Sequence, residues 1–134
     1  MQFAAHECPP GSVYGSAKVT TPILDGAAEG PVYLRSSDHK LPDLVVALKG
    51  PPSAAVDIEV VGRLDSHKGG IRASFEATPD LPFSKFVLDM RGGSKGLIVN
   101  SRSFCSQPSR ATARFAEQNG RRLDFGPVVR ALGC

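Results

Sequence analysis

The stretch VDIEVVGRLDSHKGGIRASFEA, residues 56–77, decides the fold. Val56, Ile58, Val60 and Leu64 alternate with Asp57, Glu59, Arg63 and Asp65, and Gly62 falls on the apolar side. A period of two belongs to a strand with one face toward a core, because successive side chains of an extended chain point to opposite faces. The alternation resumes after Ser66–Gly70, with Ile71, Ala73, Phe75 and Ala77 inward and Arg72, Ser74 and Glu76 outward. Lys68-Gly69-Gly70 supplies the turn, so the two runs form an antiparallel hairpin. In this register Ile58→Asp places an unpaired carboxylate in the core, at a cost of several kcal/mol. Glu59→Ala, one position along and facing solvent, costs less than about 0.5 kcal/mol.

The same pattern extends in both directions. Strands are expected at 12–19, 31–36, 43–49, 84–91 (Phe86, Leu88 and Met90 inward) and 110–118 (Ala111, Ala113 and Phe115 inward). Asn119-Gly120 between two extended runs is a strong hairpin signal, and strands at about 121–126 and 128–132 complete the set. Helix signals are poor. Only 22–29 and 41–49 could be considered, and Pro42 followed by Val45-Val46 argues against the second. The 14 glycines and 11 prolines punctuate the apolar runs instead of forming one tract. Eight or nine short strands joined by turns predict an all-β fold, an antiparallel immunoglobulin-like β-sandwich or, alternatively, a partly closed β-barrel.

At 134 residues the chain is the size of one domain, taken as 8–134 with a lead-in segment at 1–7. Met1–Glu7 has neither the basic start nor the long apolar run of a signal peptide. No run approaches the ~18 apolar residues of a membrane span. Trp is absent and aromatics are 7%, which leaves little for base stacking, so no nucleic acid partner is expected.

Three cysteines, Cys8, Cys105 and Cys134, form no Cys-x-x-Cys pair, and only His6 lies near one of them, so no metal site is expected. One disulfide with one odd thiol is the preferred reading. Cys105 precedes the 110–118 strand and Cys134 ends the last strand of the same antiparallel set, so these two are paired. Cys8 is then expected to be free, or paired with a segment absent from this chain. The alternative is three reduced thiols in a cytosolic protein.

Charge is uneven. Residues 1–66 carry five basic and eight acidic side chains, and residues 67–134 carry eleven and five. A basic late half, with Arg114 and Arg122 on its strands, suits an anionic polymer. Two loops are interaction candidates: Arg35–Lys40, with Arg35, Asp38, His39 and Lys40, and Arg91–Lys95, with Arg91 and Lys95. Catalytic lures are weak. Asp65-Ser66-His67 holds triad residue types, but neighbours in an extended chain diverge. Ser36-Ser37-Asp38-His39-Lys40 is a polar loop whose Ser and Asp cap local backbone. Gly92-Gly93-Ser94-Lys95-Gly96 is not a P-loop and precedes no helix. No catalytic residue and no cofactor is expected.

Several blocks in order resemble one family. They are Cys8-Pro9-Pro10-Gly11-Ser12-Val13-Tyr14-Gly15-Ser16-Ala17, Gly30–Ser37 with His39–Val45, Gly62–Ser66 with Gly69–Arg72, Pro79–Phe86, Gly92–Leu97, Asn100-Ser101 with Cys105, Arg110–Ala113 and Gln118–Gly120. Together they are similar to a β-rich module found toward the C-terminal end of large secreted or cell-surface actinobacterial proteins of unknown function. The resemblance implies a secreted or cell-surface location, with neighbouring β domains of a longer chain or other surface proteins as partners. It carries over no catalytic residue. The expected function is a non-catalytic structural or interaction module of an exported bacterial surface protein. The alternative is a binding module for an anionic cell-envelope or host polymer through the basic C-terminal half.

Overall fold

A computed structural model describes residues 8–134, so the lead-in expected at 1–7 lies outside the described residues. Strands hold 46% of it and short 3-10 turns 5%, which makes the chain all-β and antiparallel, as its periodicity indicates. The chain forms two compact units, Met1–Leu97 and Ile98–Cys134.

The first unit is a six-stranded antiparallel sheet built from β1 (Val13–Thr20), β2 (Ala27–Arg35), β3 (Asp43–Lys49), β4 (Asp57–His67), β5 (Gly70–Ser74) and β6 (Lys85–Met90). Its order is β5-β4-β3-β2-β1-β6. The sheet curls into a half-barrel, close to the partly closed barrel alternative. Consecutive strands neighbour one another up to β5. Residues 75–84 then carry the chain from that edge to the opposite one, where β6 pairs with β1. The β4–β5 hairpin turns at Lys68-Gly69, whose φ values of 49° and 78° match the paired positive angles of a type I′ turn.

The register places Gly15, Ala17 and Val19 of β1 beside Met90, Leu88 and Phe86 of β6, and Leu44, Val46 and Leu48 of β3 beside Gly62, Val60 and Ile58 of β4. These residues share one face. There Ala17, Ala28, Val32, Leu44, Val46 and Leu48 are buried, with Ile58, Val60, Leu64, Phe75 and Met90 packed against them. The inward assignment of Ile58 and Val60 therefore holds. Phe75 lies over Gly62, where a Cβ would stand 2.5 Å from the ring, so the gap in the apolar stripe is filled from the next segment. The opposite face has its own cluster of Tyr33, Val45 and Ala47, with Cys8, Val13 and Val61 around it. Consequently Leu44–Leu48 is buried at five successive positions, as a strand covered on both faces must be.

Several inward assignments need correction: Val56, Ala73, Ala77 and Ala111 are exposed, and so are three large side chains on the edge strands. Ile71 of β5 is 61% exposed, and Phe86 and Leu88 of β6 are 49% and 41% exposed. Each lies on the core face, but each also lies on an edge strand of a sheet that closes only halfway. The 22–29 segment, the remaining helix candidate, enters β2 at Ala27 because Val19 and Thr20 of β1 pair with Ala28 and Ala27.

The second unit contains two two-stranded sheets: β7 (Ser109–Arg110) with β10 (Val128–Val129), and β8 (Ala113–Ala116) with β9 (Arg122–Phe125). The 110–118 strand is thus broken in two. The β8–β9 hairpin forms at the expected Asn119-Gly120. Glu117 accepts the Gly120 N–H at 3.0 Å, and Gly120 alone takes a positive φ, 83°, which gives a three-residue connection with the glycine at its bulge. Phe115, expected inward, is 53% exposed and stacks on Phe125 with 5.9 Å between centroids. Cys105 and Cys134 form the disulfide read from the sequence, and Cys8 is a free thiol.

Candidate functional site

Strand register gathers both candidate loops at one end of the six-stranded sheet. β1 starts opposite the end of β2 (Val13 with Tyr33), β3 starts opposite Arg35, and β6 ends opposite Gly15. The 36–42 connection and the 91–96 segment therefore flank the same sheet end. The side chains, however, are committed to local structure. Ser37 Oγ donates to the Leu41 carbonyl at 2.5 Å and accepts the His39 N–H at 3.3 Å, which is the capping role expected of it. His39 Nε2 lies 2.9 Å from Asp43 Oδ1, and both side chains are largely buried. Arg35 reaches across β3 to Glu59 at 3.0 Å, on the face that carries Tyr33 and Val45. Of the charged side chains in this loop, only Asp38 and Lys40 stand exposed without an ion pair among the described residues.

The second loop is a clasp. Arg91 donates from Nη1 to the Val13 carbonyl at 3.3 Å, and Lys95 Nζ donates to the Gly11 carbonyl at 2.8 Å. The same ammonium sits 5.2 Å from the centre of the Tyr14 ring. Gly92–Gly96 is thus a short turn whose lysine folds back on the chain instead of presenting a phosphate cradle. In Asp65-Ser66-His67, strand alternation sends Ser66 to the opposite face, and Asp65 accepts from Arg63 Nε at 3.4 Å.

Arg114 and Arg122 lie on one face of the β8–β9 hairpin, Arg114 opposite Asp124 and Arg122 opposite Ala116. The second unit holds six arginines against Glu117 and Asp124. Arg102 and Arg110 are engaged within it, with Ser109 Oγ and the Gly126 carbonyl. Arg114, Arg122 and Arg130 make no ion pair among the described residues.

Three features escaped the sequence reading. Burial raises the Tyr33 hydroxyl above its usual pKa, and the charge of a Cys8 thiolate adds to the shift. An open groove of about 440 Å³ lies over β2, β1 and β6, lined by Ser16, Lys18, Glu29, Val87 and Asp89. Among the described residues the outer edge of β6 pairs with no strand, and Phe86, Val87 and Leu88 along it are 49%, 42% and 41% exposed. A period-two run such as 84–91 could have signalled the last feature, had its place at a sheet edge been known.

Comparison with protein-family models, curated proteins and solved structures finds no match to this chain. Among the described residues no group of three His, Cys, Asp or Glu side chains gathers to hold a metal ion, and no helix is long and apolar enough to cross a membrane.

Proposed function

We propose that this chain is a non-catalytic interaction module of an exported bacterial surface protein. The observation that carries the reading is the open β6 edge, where the sheet presents apolar side chains next to unpaired backbone groups. The Cys105–Cys134 disulfide supports an oxidising compartment, where such bonds persist. The ordered blocks that resemble secreted actinobacterial modules support the same location, with neighbouring β domains or other surface proteins as partners. The reading is checked by fractionating source cells after trapping thiols. The protein is expected in the envelope or medium fraction, with Cys105 and Cys134 oxidised. Cytosolic protein with both thiols reduced would sink the reading.

The unpaired arginines of the second unit favour one further reading, binding of an anionic cell-envelope or host polymer. Retention on immobilised heparin or teichoic acid should then fall steeply with salt, as counterion release requires. Joint Arg114→Glu and Arg122→Glu substitutions should abolish it, because both side chains are exposed on one hairpin face. Equal retention of parent and variant removes this reading.

A further inference from the structure

The open edge of β6 also carries information about its partner. Arg91 donates its N–H to the Tyr14 carbonyl at 2.8 Å, continuing the register that pairs Met90 with Gly15 and Lys85 with Thr20. Hydrogen-bonded and non-hydrogen-bonded positions alternate along an antiparallel pair. Odd-numbered residues of β6 therefore turn their N–H and C=O groups toward β1. Phe86 and Leu88 turn theirs outward, to the unpaired side.

We infer that β6 pairs antiparallel with β6 of a second copy of this chain, about a two-fold axis at Val87. The inference rests on reading the chain as an interaction module and names the partner at that edge. Three considerations select the occupant and the register. First, outward backbone groups must meet outward groups, so even-numbered residues must face even-numbered ones. Among such registers, the one centred on Val87 sets Phe86 opposite Leu88 of the second copy, and Leu88 opposite its Phe86. Both side chains then extend the core face across the junction and cover the apolar surface each copy leaves bare. Second, the same register sets Lys85 opposite Asp89 twice, once on each side of the axis, while Val87 meets Val87. Opposite charges placed directly across an antiparallel pair attract, and like charges repel. Shifting the axis to Leu88 would instead set Lys85 against Arg91. Shifting it to Phe86 would set Lys85 against Val87 and leave both charges unmatched. Third, among the described residues Lys85 and Asp89 form no ion pair within their own chain, so both remain available to the second copy. The strand is thus complementary to itself in sequence, in backbone polarity and in charge. That is the condition for an isologous contact, which closes at two copies instead of growing into a fibre.

Sedimentation equilibrium of the full chain, with covalent dimers excluded by non-reducing electrophoresis, tests the inference. The parent protein is expected to dimerise in the micromolar range. Lys85→Glu alone or Asp89→Lys alone creates two like-charge pairs at once and should weaken dimerisation at least about tenfold. Combining both substitutions in one chain restores both attractions and should restore the dimer. Mixing the two single variants should do the same through a heterodimer, since the two carboxylates of one copy, at positions 85 and 89, then meet the two ammonium groups of the other; this also shows that each single variant is folded. A parent that stays monomeric overturns the inference. So does a dimer indifferent to the single substitutions, or one that neither the double variant nor the mixture rescues. Such failures leave the cell-fractionation result untouched, so the broader reading stands or falls separately.

Discussion

In Met1–Leu97 the sheet buries Ala17, Ala28, Val32, Tyr33 and the whole run Leu44–Leu48, on two faces. In Ile98–Cys134 the described structure buries only Ser109, its strands are two to four residues long, and Phe115, Leu123 and Phe125 remain about half exposed or more. The first unit is organised from the hydrophobic interior outward. The second is organised from a covalent link inward, with Cys105 joined to Cys134 across 29 positions of sequence. A segment this short cannot bury enough apolar surface to offset its chain entropy, and a cross-link that restricts the unfolded ensemble is the usual remedy. The same contrast recurs within the first sheet, where β3 is covered on both faces while β5 and β6 keep apolar residues in solvent.

The largest effect should come from placing a charge in each unit. Val32 has no exposed surface, so Val32→Asp strands a carboxylate between buried neighbours. That costs several kcal/mol, a large share of the stability of a small domain, and the cooperative melt of the first unit should disappear. Ile58→Asp, on the same face but half-buried, should follow at a smaller cost. Leu123→Asp in the second unit should cost under about 1 kcal/mol, because that side chain is 60% exposed. Thermal melts followed by circular dichroism check all three. Comparable losses for Val32→Asp and Leu123→Asp would break the distinction between the units.

A smaller and complementary effect is expected from the disulfide. Replacing Cys105 and Cys134 together with serine should destabilise the second unit by about 3–4 kcal/mol, the chain-entropy value for a loop of this length. Hydrogen exchange read by mass spectrometry should show lost protection across β7 to β10, with β1 to β4 unchanged. Loss of protection in β3 would mean that the first unit depends on the staple as well.

The sequence disclosed the strands wherever side-chain period and turn chemistry were local. Ile58, Val60 and Leu64 lie on the face their alternation assigns them, Lys68-Gly69 makes the turn its residues allow, and Cys105 meets Cys134. It failed where the answer depended on which strands sit side by side. Phe86, Leu88 and Ile71 were placed on the correct face, yet a half-closed sheet leaves that face uncovered at its edges. Ala27-Ala28-Glu29-Gly30-Pro31 contains few residues that favour a strand, and pairing with Val19 and Thr20 imposes one. The candidate loops were correctly placed in turns. Their cations looked available because the partners of Arg35, Arg91 and Lys95 are Glu59, Val13 and Gly11, at 24 to 84 positions' separation. No local pattern reveals such contacts.

Glu59 gives the smallest and most discriminating test. Alternation placed it in solvent, where its loss would cost under about 0.5 kcal/mol, but its side chain is only 21% exposed and it accepts from Arg35 at 3.0 Å. The pair Lys18–Glu29, at 3.3 Å on the same sheet, is far more open, with side chains 57% and 65% exposed. Exposed pairs gain little, because water screens the attraction and two long side chains lose freedom when held together. A double-mutant cycle to alanine should therefore give a coupling of about 1 kcal/mol for Arg35–Glu59 and about 0.3 kcal/mol or less for Lys18–Glu29. Added salt should weaken the second coupling more than the first. If both couplings are equal and vanish together in salt, Glu59 behaves as a solvent residue and the face shared with Tyr33 and Val45 is more open than this structure has it.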